Sequence, residues 1–235
     1  MEALIAVICI VFATGFLVLT VWLVLYLSKL RMKRFVKLLQ TRFPDAALDD
    51  GLFAQGIHFT MKGLPARIGW YAGGGSGRHH RPPKTIIRVN LPENAASALE
   101  MMQFSMTLKN NRKPPRDQLR QFLEISVENS HLREIVEDDS RMREALETIF
   151  LLEKNFVGLA ASMSLKKTEF VVSVADYVSG NEQLLLLADN ARILFERALN
   201  AAESAGAALP ESLSQLDGDE TAENIHAQAS IESPQ

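Results

Sequence analysis

Along the chain the apolar positions fall into three regimes. From Ala3 to Leu27 there is no charged residue, and only Thr14, Gly15 and Thr20 interrupt the apolar run. At the helical rise this run covers about 37 Å, more than the roughly 30 Å hydrocarbon layer of a bilayer. A cleavable leader needs a basic start, a shorter apolar core and a small-residue cleavage site, whereas this run starts Met1-Glu2 and ends Leu25-Tyr26-Leu27-Ser28. The expectation is a retained transmembrane anchor over 1–28, with Trp22 and Tyr26 one turn apart at its C-terminal end, where amphipathic rings favour the headgroup level.

The second regime begins with Leu30, Phe35, Leu38, Leu39 and Phe43 at helical spacing, which predicts an amphipathic stalk over 29–44, stopped by Pro44. Alternation then takes over. Ile57, Phe59 and Met61, a turn at Lys62-Gly63, and Ala66, Ile68 and Trp70 read as a hairpin. Ile87, Val89 and Leu91 give a third strand, Met102, Phe104, Met106 and Leu108 a fourth, and Leu123, Ile125 and Val127 a fifth. The period changes at two short helices, one capped by Asn129 or Ser130 and the next by Asp138, Asp139 or Ser140. A second hairpin runs from Val157 to Val174 around Lys166-Lys167, and Leu184, Leu187, Ala188, Ala191, Leu194, Phe195 and Ala198 make a long helix from Asn181 to about Ser204.

This order predicts an α+β domain over 45–205, a largely antiparallel sheet with two short helices and one long C-terminal helix packed on it. The third regime, 206–235, is rich in Ala, Ser and Glu without an apolar period and reads as a disordered acidic tail.

Charge refines this picture. Residues 29–120 hold 17 Lys and Arg against 6 Asp and Glu, and residues 121–235 hold 8 against 21, so the body is a charge dipole along the sequence although the net charge is only −3. Lys29, Arg31, Lys33, Arg34 and Lys37 follow the anchor directly, against a lone Glu2 before it. By the positive-inside rule the N-terminus lies outside and the body in the cytoplasm, in what reads as a bacterial inner membrane. Two Pro-Pro loops are also basic: one carries Arg78, Arg81 and Lys84, the other Arg112, Lys113 and Arg116. If the first four strands form a meander, both loops share the end where the stalk enters, and these eleven cations form one surface against the anionic inner leaflet.

Candidate chemistry is sparse. Gly73-Gly74-Gly75-Ser76-Gly77 fits neither phosphate-binding glycine motif, His79 and His80 lack further ligands, and the one cysteine, Cys9, lies in the anchor. Glu137-Asp138-Asp139 lacks the alternation of a calcium loop. No catalytic residue, metal ligand or cofactor site is assigned. The expected function is a single-pass membrane protein with a cytoplasmic protein-interaction or scaffolding domain, its protein partner unidentified. A lipid- or nucleotide-acting hydrolase built on the Gly/His loop is the enzymatic alternative. Nucleic-acid binding by the basic half is a third reading, disfavoured because neither Pro-Pro loop holds an aromatic ring for base stacking.

Overall fold

The computed structural model describes residues 2–49, 56–71, 73, 83–110, 115–152, 159–176 and 178–214. The chain is α+β. Helix α1 (Glu2–Leu39) is followed by the strands β1 (Ala47–Leu48), β2 (Gly56–Met61), β3 (Leu64–Tyr71), β4 (Lys84–Asn90), β5 (Phe104–Asn110) and β6 (Leu123–Val127). Helices α2 (Ser130–Asp138) and α3 (Ser140–Leu151) come next, then the hairpin β7 (Leu159–Leu165) and β8 (Glu169–Val174), helix α4 (Asn181–Ser204) and the short α5 (Glu211–Ser214). The eight strands form one antiparallel sheet in the order β1-β2-β3-β4-β8-β7-β5-β6.

Period-two alternation puts one side of every strand into the core. The register aligns these positions as a row across the whole sheet: Leu48, Ile57, Ile68, Ile87, Val172, Met163, Met106 and Ile125. A parallel row two residues further along each strand runs Phe59, Ala66, Val89, Phe170, Leu165, Phe104 and Val127. The helices cover this face. Phe195 of α4 meets Phe170 of β8 with ring centroids 5.1 Å apart, and Leu184, Leu187, Leu194 and Leu199 of α4 are buried.

Side chains set the boundaries. Asn129 caps α2 by accepting from the Leu132 N–H at 3.0 Å, and Asp139 caps α3 by accepting from the Met142 N–H at 2.8 Å, each among the alternatives the sequence offers. The second Asp139 oxygen accepts from Arg197 Nε at 2.7 Å, tying α3 to α4. At the β2–β3 turn Lys62 and Gly63 both take positive φ, 51° and 75°, the conformation a two-residue hairpin needs to match strand twist.

Four expectations need correction. The fourth predicted strand does not lie beside the third: β8 and β7 insert between β4 and β5, because a hairpin formed later in the chain pairs with both edges left by the earlier strands. That strand also starts at Phe104 rather than Met102, which precedes it. Helix α1 ends at Leu39, and a turn closed by the Phe43 N–H on the Leu39 carbonyl at 2.7 Å carries the chain to Pro44. The polar tail does not begin at 206, since Ala207 and Leu213 are buried against the core and α5 forms there. The remainder of the predicted tail, 215–235, lies outside the described residues, as do Arg78, Arg81, Arg112 and Lys113.

Candidate functional site

The most informative region is the junction where α1 meets the domain. From Phe12 to Arg31 the described side chains of α1 are exposed, and this helix is long and apolar enough to cross a membrane. Trp22 and Tyr26 stack on its surface with centroids 5.4 Å apart. At Met32 the helix turns from free to packed: Met32, Phe35 and Leu39 recur on one face and are buried, while Lys29, Arg31, Lys33, Arg34 and Lys37 stay exposed on the others. A single uninterrupted helix therefore carries both the apolar run and the first core contacts of the domain.

Three contacts fix the direction of that helix. Phe35 stacks on Trp70, one residue from the end of β3, with centroids 6.1 Å apart and planes at 20°. Phe43 meets Phe59, whose strand partner is Ala66, with centroids 4.6 Å apart. Arg31 donates from Nη2 to the Ser179 carbonyl at 3.1 Å, its guanidinium 5.6 Å from the Phe35 ring centre. Phe35 to Phe43, the last turn of α1 and the hydrogen-bonded turn that follows it, is a climb of about 12 Å, and Trp70 to Ala66 is about 13 Å of strand. The matching heights mean that α1 runs alongside the strands, so the strands continue the direction of the apolar helix.

The link 175–180, between β8 and α4, is clamped at this same end. Trp70 Nε1 donates to the Val178 carbonyl at 2.8 Å. The Thr85 hydroxyl, fully buried, donates to the Asp176 carbonyl at 2.8 Å and accepts from the Val178 N–H at 2.9 Å. The period-two rule places Thr85 on the core side with Ile87 and Val89; the polar partner that makes its burial tolerable comes from a segment 91 residues away and is invisible to sequence.

The end of the sheet nearest the apolar helix is also where both basic loops leave it. Tyr71 pairs with Lys84 there, and Asn110 pairs with Leu159. Insertion of β8 and β7 does not reverse this arrangement, because two antiparallel strands restore the direction of β5 relative to β4. It does separate the two loop roots, by three strand spacings or about 14 Å. Lys84 is exposed at the start of β4, and Arg116 opens a 3-10 helix over Arg116–Phe122 that sequence reading assigns to a loop. Measured along α1, Trp70 stands about 12 Å beyond Leu27, and Tyr71 and Lys84 about 3 Å closer to it.

A second cluster lies at the far edge of the sheet. Asp49, almost wholly buried, holds both His58 and Arg67, with Arg67 Nε donating at 3.0 Å. The pair packs over Gly56, where a Cβ would come within 2.8 Å of Arg67 Nε. Asp49 follows the two-residue strand β1, too short for any periodicity to announce. Nearby, Asp45 accepts from the Thr60 hydroxyl; burial pushes its carboxyl up, but the bonds from Thr60 and from its own backbone outweigh this and hold it below the ordinary value. These groups pin β1 and the end of the stalk turn to β2.

Among the described residues no three His, Cys, Asp or Glu converge as metal ligands. A cleft of about 500 Å³ between the 3-10 helix and α3 is lined by Asp117, Arg120, Ser140, Arg143, Glu144 and Glu147. All six of these residues are polar or charged, unlike the predominantly hydrophobic and aromatic linings of pockets that hold small molecules. The Gly/His loop lies outside the described residues from Gly74 to Arg81. No family model matches the chain, and no curated protein or solved structure matches it either.

Proposed function

We propose that this protein is a single-pass membrane protein whose α+β domain serves as a protein-interaction or scaffolding module held upright on the cytoplasmic face, N-terminus outside. One observation carries the reading: α1 passes without a break from an exposed apolar run into the buried Phe35 and Leu39 of the domain. A rigid helical junction of this kind fixes the domain at a set height and tilt, which suits a platform better than a freely tethered enzyme. The exposed Lys29, Lys33, Arg34 and Lys37 fall at the exit of the apolar run, the position that retains cations on the cytoplasmic side. Lys84, exposed at the start of β4, adds to this collar, and the roughly 9 Å between Lys84 and Leu27 along the helix is comparable with the Debye length at physiological salt, so headgroup charge reaches it.

The test uses the whole protein in intact cells, with Cys9 replaced by Ala. A membrane-impermeant maleimide is expected to label Glu2→Cys without permeabilisation and Glu203→Cys only after it. The reverse pattern overturns the topology, and recovery of the protein free of membranes overturns the anchor. For the collar, an environment-sensitive probe at Pro115→Cys in nanodiscs is expected to report closer headgroup contact with anionic than with neutral lipid. Equal contact would mean that helix packing alone orients the domain.

A further inference from the structure

The sheet ends differently at its two edges. β1 is two residues long and lies against the end of α1, with Gln40 Nε2 donating to the Ala46 carbonyl at 2.9 Å. β6 is five residues long and contains neither proline nor glycine, so nothing in its sequence blunts pairing. The register fixes which way its backbone groups turn. The Ala175 N–H bonds to the Ala160 carbonyl at 2.8 Å, so on β7 Ser162 and Ser164 also turn toward β8, while Ala161 and Met163 bond to Leu108 and Met106 of β5. Thr107 and Ser105 are then left to bond to Glu124 and Ser126 of β6. Leu123, Ile125 and Val127 therefore turn their N–H and C=O groups out of the sheet. Both ends of the edge agree with this phase: the Leu123 N–H is held by the Arg120 carbonyl, and the Val127 carbonyl accepts from Arg133 Nη2 at 3.3 Å. Between these two bonds, the Leu123 carbonyl, both groups of Ile125 and the Val127 N–H have no partner among the described residues.

We propose that the β6 edge takes an added strand from a protein partner, an extended segment apolar on one side and basic on the other. Donors and acceptors that alternate at strand spacing are matched by another extended backbone. Side chains set the rest. Leu123 and Ile125 are half-buried against the core, where an apolar side chain of the added strand would extend it. On the opposite face Glu124 is exposed and has no ion-pair partner among the described residues, nor has Glu128 just past the strand. The nearby cations are placed elsewhere. Lys109 is on β5, with β6 between it and an added strand, Arg120 lines the cleft with Glu144 and Glu147, and Arg133 is bonded to the Val127 carbonyl. The chain's own end has the wrong sign for this edge, since 215–235 holds Asp217, Asp219, Glu220, Glu223 and Glu232 and no Lys or Arg. Symmetry disfavours a second copy. Two copies inserted the same way are related by an axis along the membrane normal, hence along the strands, and two β6 edges joined about it set N–H against N–H and carbonyl against carbonyl. The proposal names the surface through which the interaction module described above would act, and it rests on that reading.

The experiment uses the full chain in an uncharged detergent and two short labelled peptides, one alternating Lys with Val and the other Glu with Val. In the protein alone the Ile125 amide is expected to exchange freely, while the Glu124 and Ser126 amides, bonded to β5, are protected. Saturating Lys/Val peptide is expected to slow exchange at Ile125 about tenfold or more. Protection of Ile125 before peptide is added would mean that this chain or a second copy already covers the edge, and would overturn the proposal. Ile125→Pro removes the outward donor without costing β6 a bond to β5, and is expected to weaken Lys/Val binding about tenfold or more, whereas Ile125→Val keeps it. Glu124→Lys, a surface change whose unchanged thermal transition verifies the fold, is expected to turn the preference toward the Glu/Val peptide. Equal binding of the two peptides by the native protein, or an unaltered preference in Glu124→Lys, would also overturn it. Failure of the membrane reading would show instead in the maleimide pattern described above, which these measurements do not use.

Discussion

Phe35 of the apolar helix lies against Trp70 of the sheet, and the same indole that receives the stack donates its N–H to the Val178 carbonyl. Three segments far apart in sequence thus meet at one side chain: the end of α1, strand β3 and the link into α4. The junction is a packed joint rather than a hinge, because each contact restricts a different degree of freedom. The stack fixes the lateral position of α1, and the hydrogen bond fixes the link that Arg31 also grips.

The two residues separate these contributions. Phe35→Ala is expected to cost about 3–5 kcal/mol of domain stability, in line with loss of a buried ring. Trp70→Phe keeps apolar bulk but leaves the Val178 carbonyl without its donor, a loss of about 1–3 kcal/mol. Denaturant unfolding of the detergent-solubilised protein measures both. Amide exchange in 175–180 should rise in both variants, since each loosens the clamp on that link, and unchanged exchange would mean the link is held elsewhere.

Thr85 gives a sharper version of the same argument. Its hydroxyl both donates and accepts within the core, so Thr85→Val preserves shape and removes one hydrogen-bond partner from each of two backbone groups of the link. The expected loss is about 1–3 kcal/mol, whereas Thr85→Ser should recover most of it by restoring the hydroxyl. A Val variant as stable as the native protein would show that water replaces the lost bonds.

These cases mark what the sequence makes legible. Period-two runs identified the strands with apolar alternation, from Ile57 in β2 to Val174 in β8, and helical spacing identified α4, because burial of one face writes itself directly into residue order. Strand order was not legible: the place of β8 beside β4 depends on Thr85, Ile87 and Val89 meeting Val174, Val172 and Phe170, and any apolar strand would satisfy the same pattern. The direction of the strands survived that error through parity alone. Nor could alternation reveal Asp49 or the 3-10 helix before β6, which are too short or too irregular to carry a period. At the junction, the basic residues of α1 were conspicuous in the sequence, but the turn of Arg31 toward Ser179 follows from where the link passes and has no local signature.

Asp45 makes a prediction in pH. Its carboxyl is held below the ordinary value near 3.8 by the Thr60 bonds, so ionised Asp45 favours the folded state. That contribution is fully present above the unfolded value and disappears as pH falls through the lower folded one. Carboxyl NMR titration should find Asp45 below 3.8 in the native protein and closer to it in Thr60→Val. An Asp45 value unmoved by Thr60→Val would assign the shift to the backbone bonds instead.

The end of the chain separates two truncations that composition alone treats as equivalent. Beyond α4, Gly206 takes φ of 102°, turning the chain back so that the Ala207 N–H bonds to the Ala202 carbonyl at 2.9 Å. This reversal lays Ala207 and Leu213 on the core, and the Leu213 N–H closes on the Pro210 carbonyl at 2.8 Å. Burying a leucine side chain is worth about 1.5–3 kcal/mol before ordering costs are subtracted. Truncation after Ser204 removes this cover and exposes the end of α4, so it should destabilise the domain by about 1–3 kcal/mol and increase amide exchange in the last turns of that helix. Truncation after Ser214 removes only the polar, acidic 215–235 and should leave unfolding unchanged. Gly206→Ala probes the turn itself: a Cβ meets open space there, so any loss comes from the left-handed backbone and should be near 1 kcal/mol. If truncation after Ser204 proves as mild as truncation after Ser214, the packed segment adds nothing to stability and the domain ends, in energetic terms, with α4.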